Sequence, residues 1–339
     1  MSFLDEVRDA YKASTLPDFP SFGQMGINYL TTIGVATTRK VLGLQDKVST
    51  EEKDRRLAIC KACEHIEYVN EKPRCHHCGC NMEKGVDYFN KRCALGKWEE
   101  MVSVIIPNRA EKYIDRTVQS IKENAIGPIE IIIEDDPDGL GNKVIRNRGA
   151  KKAKGEYLFF VDGHCIMTKG WDVQLKAFCG EKDLVQCRLD GINEDTWTPL
   201  GNKYDHVYLN KDLKEKWWNK GKDNSVEELM CLTGCGFLLR RKRFFELGGY
   251  YEEPHTQWGS DGPEWGCKIW LSGGRCFLHT GVVCAHLFRK QSPFLINGNK
   301  VTEFHNFLKQ TILDKKLPLQ IYSIDWLVDK FKPVPTWDN

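Results

Sequence analysis

The sequence predicts an α/β domain, a parallel sheet covered by helices, preceded by a small metal-binding module. Three observations lead there. From Met101 onward, short apolar runs alternate with stretches of helical spacing. Acidic residues close two of those runs, Glu134-Asp135-Asp136 and Asp162, and open α/β sheets bind ligands at such strand ends. Finally, the 14 cysteines are unevenly spread, with a dense group between Cys60 and Cys93.

The 339 residues are 41% hydrophobic and 28% charged with net charge +2, an ordinary globular mixture that excludes wholesale disorder. The neutral balance provides no overall field for nucleic acid, while leaving room for a local basic groove. The opening MSFLDEVRDAYK carries acids and lacks the apolar run of a secretory signal. Residues 21–38 are free of charge, but Gln24, Asn28 and the threonines make them too polar to span a bilayer. A helix packed on the main domain is expected there, with no transmembrane segment and a cytoplasmic location.

Residues 1–50 read as a lead-in. Ser49 or Thr50 caps a helix whose first turn holds Glu51 and Glu52 and which delivers the chain to Cys60. Residues 51–98 form the cysteine-rich module. Its two knuckles, Cys60-x2-Cys63 and Cys75-x2-Cys78, can present four thiolates tetrahedrally to one zinc ion. Such a closed site is structural, since it leaves no open position for substrate. Cys80 and Cys93 remain, either to build a second site with His76 or His77 or to pack. Without an export signal disulfides are disfavoured, and the cysteines outside the module are expected as small core residues. The main domain, 101–290, begins strand (MVSVIIP), helix (EKYIDRTVQSIKEN), strand (IEIIIEDD), helix (KVIRNRGAKKAKG), strand (EYLFFVDG). In 291–339 an amphipathic helix near 301–314 and a polar tail wrap back on the domain.

Three short texts carry the chemistry. In LFFVDGHC, Asp162 and His164 follow an apolar strand and can reach one cation, and mixed oxygen and nitrogen ligation suits manganese. In residues 232–274, Gly234 and Gly236 let a ligand approach the backbone, and Asp261 and Glu264 lie at a loop and helix start facing the same place. In AHLFRKQSPF, His286 supplies a third ligand, with Arg289-Lys290 behind it for a diphosphate leaving group.

Together these texts resemble the polypeptide N-acetylgalactosaminyltransferases, and more broadly the GT-A enzymes, over roughly residues 102–294. The matching stretches are Asp162-Gly163-His164-Cys165 with Trp171 downstream, Trp258-Gly259-Ser260-Asp261-Gly262-Pro263-Glu264, His286-Leu287-Phe288-Arg289-Lys290-Gln291, and Arg146-Asn147-Arg148-Gly149 upstream. The resemblance implies a GT-A, Rossmann-like domain that uses a UDP-sugar donor. Asp162, His164 and His286 would hold Mn²⁺ on its diphosphate. Pro107, Glu111, Asp135 and Asp136 would line the uridine and ribose pocket, with Arg146 and Arg289 near the diphosphate and Gly234 and Trp258 along the donor. Asp261 would contact the sugar or the acceptor hydroxyl, as a general base if transfer inverts or as an orienting group if it retains, which is what the resemblance favours; Glu264 is its companion. The sequence departs from the family where a glutamate is replaced by Asp261, in the short segment between Asp135 and Arg146, and in having a zinc module where the animal enzymes have a membrane anchor and, later, a lectin-like domain. The module's CxxCGC run and CALGKW ending resemble zinc-binding segments beside glycosyltransferase domains in phage and bacterial proteins.

The expected activity is therefore sugar transfer to a hydroxyl on a macromolecule. The favoured acceptor is a hydroxymethylpyrimidine in phage-type DNA, on account of the zinc module and the basic, aromatic stretch 214–222 with Trp217-Trp218. Serine or threonine of a protein is the alternative. A non-catalytic zinc-dependent binding module is the third.

Overall fold

The computed structural model describes residues 3–337 and divides into two compact units, Met1–Glu99 and Glu100–Asn339.

In the first unit α1 (Phe3–Ala13) and α2 (Phe22–Val41) precede α3 (Thr50–Lys61), the antiparallel hairpin β1 (Ile66–Val69) and β2 (Lys72–Cys75), and the short α4 (Met82–Gly85). Ser49 caps α3 as expected, its hydroxyl accepting from the Glu52 amide at 3.2 Å. The uncharged stretch 21–38 is helical, and its partner is the cysteine segment of the same unit. Asn28 Nδ2 donates to the Cys78 carbonyl at 3.1 Å, and the Arg39 guanidinium lies 3.8 Å over the Phe89 ring. Gly79, at φ +68°, is needed for this packing, because a Cβ there would come within 2.3 Å of Met25. Among the described residues no helix is long and apolar enough to cross a membrane.

The second unit opens in the predicted order: β3 (Val102–Asn108), α5 (Ile114–Asn124), β4 (Ile129–Asp135), α6 (Asn142–Lys152) and β5 (Tyr157–Phe160). β3 pairs in parallel with both β4 and β5. Val104, Ile105 and Ile106 of β3 and all of β5 are buried, as befits strands covered on both faces. Beyond β5 come β6 (Cys165–Met167), α7 (Trp171–Lys176), β7 (Leu184–Asn193), β8 (Thr198–Pro199), the hairpin β9 (Val207–Leu209) and β10 (Glu215–Trp217), β11 (Val226–Glu228) and β12 (Phe237–Arg240). They are followed by α8 (Arg241–Glu246), α9 (Asp261–Leu271), β13 (Cys276–His286), α10 (Gly298–Leu313) and α11 (Ile324–Phe331).

The main sheet runs β11-β13-β7-β12-β5-β3-β4; the expected parallel pairing holds for β4, β3 and β5, and beyond them the sheet is mixed. β12 lies antiparallel to both β5 and β7, while β7 and β13 pair in parallel. From β7 the chain reaches β12 through short strands and loops, without the helical crossover that parallel pairing with β7 requires. The C-terminal segment wraps back as expected, with Phe304, Leu308, Ile312 and Leu327 joining the domain core.

Candidate functional site

Asp162 lies two residues beyond β5, His164 in the turn before β6, and His286 at the end of β13. Because Cys165 is the register partner of His286, the β6–β13 pairing brings the two histidines together. His164 Nε2 is 3.1 Å from His286 Nε2, which is 3.3 Å from Asp162 Oδ2. The three ligand atoms all lie within 4.8 Å of one another.

The surroundings fit a bound cation. Glu111 Oε2 meets His164 Nδ1 at 3.0 Å, which aims Nε2 at the cluster, the way a carboxylate orients a metal-ligating imidazole. Arg146 Nη2 donates to Asp162 Oδ1 at 2.8 Å, leaving Oδ2 for the cluster. Burial alone would raise the Asp162 carboxyl, but the His286 ring and the Arg146 charge pull it far below the carboxylate range. Burial is likewise outweighed at Glu111, which His164 and Arg289 lower to about 2. Two imidazoles and an ionised carboxylate converging on one point form a set that suits manganese.

Two cavities meet at this cluster, sharing Asn142, Asp162, Trp258 and His286. One, of about 330 Å³, is lined by Pro107, Glu111, Asp136 and Arg289. The other, of about 480 Å³, is lined by Arg146, Gly234, Asp261 and Trp217. Together they offer an elongated site with the Asp162–His164–His286 cluster at its waist.

The predicted residues take distinct places around it. Arg146 is buried (1% exposed) and joins Asp162 to Asp261 Oδ1 at 3.2 Å and the Tyr250 hydroxyl at 3.1 Å, a fixed cation under the site. Arg289 Nη2 donates to both Glu111 oxygens at 2.7 Å. Asp261 opens α9 and faces Gly234, where an added Cβ would stand 3.2 Å from its own. The start of α9 presses on β12's approach so closely that a Cβ at Gly262 would fall 1.9 Å from the Leu232 carbonyl oxygen.

Two expected contacts, Asp135 and Glu264, are placed differently, and Asp136 has a second task. Asp135 is exposed, accepts from Asn108 Nδ2 at 2.7 Å, and lies off both cavity walls. Asp136 lines the smaller cavity, but its oxygens accept from the Leu140 and Gly141 amides at 2.6 and 2.9 Å and shape the turn into α6. Glu264 is fully buried beneath the wall, bound by Lys143 and Lys268 at 2.8 Å each and by the Tyr251 amide at 2.7 Å. It holds the floor of the site and does not line either cavity. Sequence reasoning missed Asn142, Glu215, Thr233, Cys235 and Phe288 on the larger cavity wall. Phe288 stood inside the recognised His286–Gln291 text; Glu215, on a three-residue strand, carried no pattern.

In the first unit all six module cysteines are free thiols. Cys60, Cys63, Cys75, Cys78 and Cys93 line one cavity of about 20 Å³. Cys80 does not line it, and its sulfur accepts from Lys91 Nζ at 3.0 Å. The second site imagined for Cys80, Cys93 and a histidine is thus not formed: Cys93 joins the first group, His76 meets Glu67 at 3.1 Å, and the His77 ring packs on His65. Cysteine side chains lining one small space are the donor type that zinc takes, and Lys97 Nζ donates to Cys63 Sγ at 3.2 Å, but among the described residues these sulfurs do not converge as the ligand atoms of Asp162, His164 and His286 do.

Residues 137–248 match the family model described as Glycosyl transferase family 2, about a third of the chain. Polypeptide N-acetylgalactosaminyltransferase 13 of Homo sapiens is 27% identical over 208 residues, 58% of this chain and 37% of that protein. A probable N-acetylgalactosaminyltransferase 6 of Caenorhabditis elegans is 29% identical over 177 residues, 49% of this chain and 29% of its own. The chain thus spans about a third of the length of these curated relatives. The crystal structure of GalNAc-T7 with UDP, GalNAc and Mn²⁺ superposes with TM-score 0.54 at 18% identity, covering 68% of this chain and 54% of that one. The second unit therefore has the fold of a GT-A glycosyltransferase domain, with the family 2 match lying inside it.

Proposed function

We propose that this chain transfers a sugar from a UDP-sugar to a serine or threonine hydroxyl of a polypeptide, with Mn²⁺ at the site and a structural Zn²⁺ in the cysteine module. The observation that carries this reading is the Asp162–His164–His286 cluster at the junction of two cavities, each large enough for a portion of a nucleotide-sugar. When bound, the manganese ion supplies a Lewis acid for the departing diphosphate.

The chain's own residues do the rest. Glu111 and Arg146 fix the orientation of His164 and Asp162, so the ligand set is preorganised. The 330 Å³ cavity, with Pro107, Asp136 and Arg289, takes the nucleotide end. Asp261, whose Oδ1 is taken by Arg146, keeps Oδ2 to orient a hydroxyl in the 480 Å³ cavity. Trp258, on both cavities, covers the junction and keeps water from the reacting carbon. Retention is the stereochemical outcome that the resemblance implies.

The polypeptide acceptor draws its support from the names of the relatives. The DNA acceptor favoured by the sequence draws none from them, and of its Trp217-Trp218 pair only Trp217 reaches the cavity, while Trp218 packs on the core. The test offers a panel of UDP-sugars with Mn²⁺ to Ser/Thr peptides and to hydroxymethylcytosine DNA, and weighs the products. A hexosamine- or hexose-sized gain on peptide is the expected result, with NMR giving the anomeric configuration. A gain on DNA alone overturns the acceptor; the absence of both transfer and UDP-sugar hydrolysis overturns the activity.

A further inference from the structure

Behind the metal ligands lies a second cluster that the proposed transfer does not use. Cys165 follows His164, Cys284 precedes His286 by two residues, and Cys235 sits between Gly234 and Gly236 ahead of β12. Their three sulfurs lie within 4.8 Å of one another, and those of Cys165 and Cys235 are 3.7 Å apart. Cys165 and Cys284 are fully buried, whereas Cys235 is 5% exposed and lines the 480 Å³ cavity. The Cys235 sulfur also accepts from the backbone amide of Asp162 at 3.4 Å, so it is tied to the first metal ligand.

A disulfide between Cys165 and Cys235 requires the sulfurs to close from 3.7 Å to about 2.05 Å. Cys165 is the fixed partner, on β6 with its amide donating to Thr117 Oγ1 at 2.9 Å. Cys235 is the mobile one, flanked by two glycines, of which Gly236 already adopts φ +75°. The product is a neutral cystine, which a dry interior accommodates without burying new charge.

We propose that Cys165 and Cys235 are a reversible thiol-oxidation site, reached by a small peroxide through the sugar cavity, and that closing it weakens donor binding. The Cys235 sulfur attacks one peroxide oxygen as the O–O bond breaks, giving a sulfenic acid and one water. The Cys165 sulfur then displaces the hydroxyl as a second water, so two thiols are oxidised and the peroxide is reduced by two electrons. As Cys235 swings toward Cys165 it leaves the Asp162 amide and drags Gly234, the residue that faces Asp261. Ligand distances in a metal site tolerate only about 0.2 Å, much less than this movement. The consequence for binding rests on the manganese–UDP reading above.

The test treats the reduced full-length chain with hydrogen peroxide, alkylates free thiols, and maps the cysteines by mass spectrometry. The same samples are titrated with UDP in Mn²⁺ by calorimetry before oxidation, after it, and after dithiothreitol. The expected result is a Cys165–Cys235 cystine, at least tenfold weaker UDP binding, and recovery on reduction. Cys165→Ala combined with Cys284→Ala, which removes both sulfurs that could pair with Cys235, should form no cystine at Cys235 and lose the tenfold change on peroxide treatment. A map with Cys165 and Cys235 still alkylated while the module cysteines have reacted overturns the proposal, as does a Cys165–Cys235 cystine with unchanged binding. A reduced chain that binds no UDP in Mn²⁺ overturns instead the proposed function and the inhibitory consequence, and the map alone then decides the oxidation site.

Discussion

At Asp162 one oxygen belongs to Arg146 and the other to the histidine pair, so the two halves of the carboxylate have separate tasks. Asp162→Asn keeps the shape and removes the charge. Mn²⁺ affinity should collapse and transfer should fall by about 100-fold or more, the scale of losing one preorganised electrostatic group. Mn²⁺ titration alongside initial rates checks this, with circular dichroism confirming the fold. Glu264 gives the opposite pattern. Burial would raise its carboxyl, but the Lys143 and Lys268 ammonium groups outweigh it and hold it below the glutamate range. Glu264→Gln removes the buried charge that balances two lysines that are 2% and 1% exposed, and should cost about 3–5 kcal/mol in urea unfolding. Any protein that survives should keep its Mn²⁺ affinity. The difference between these residues was only half legible in the sequence. Asp162, His164 and His286 each follow or end an apolar strand, and that placement aims them at one another. Asp261 and Glu264, three apart at a helix start, look alike in the text, and only the packing of Lys143 and Lys268 separates a cavity wall from a buried ion cluster.

Among the elements, β13 ends in His286 of the proposed metal cluster, and its first half carries His279. That ring is 8% exposed with its Nδ1 unpaired among the described residues, and burial depresses its pKa to about 4. Between the ordinary histidine value near 6.5 and about 4, the unfolded chain binds a proton that the folded chain refuses. Folding stability should therefore decline as pH drops through that window, by roughly 3 kcal/mol at its foot if His279 acted alone. Urea midpoints at pH 7.5 and 4.5 measure the decline, and His279→Gln should shrink it. A variant with the same decline would place the effect elsewhere. The legibility of the elements follows contact range. β3, α5, β4, α6 and β5 alternate in sequence and in space, so local period sufficed to order them. β12 could not be oriented from its own text, because its direction depends on meeting β5 and β7 after a long excursion through β8, β9, β10 and β11.

On the scale of the whole molecule, the two units differ in what holds them together. The second has a large apolar core to which strands and helices from most of its length contribute. Among its described residues the first has two small clusters, Cys60, Met82, Val86 and Trp98 around the cysteines and Ala13, Met25 and Val69 beside them. A segment of this size buries too little apolar area to offset its chain entropy, and structural zinc is the usual remedy. If zinc occupies the cavity framed by Cys60, Cys63, Cys75, Cys78 and Cys93, the purified chain should carry it even when Mn²⁺ is absent. Stripping it with a strong chelator under reducing conditions should expose residues 50–98 to protease while the fragment beginning near Glu100 persists with its thermal midpoint unchanged. Metal analysis, timed proteolysis and a melting curve on the same sample measure all three. Retention of a protease-resistant first unit without metal would mean that the thiols serve only as packing. Loss of both units together would mean that the domains do not stand apart energetically, whatever the cysteines bind.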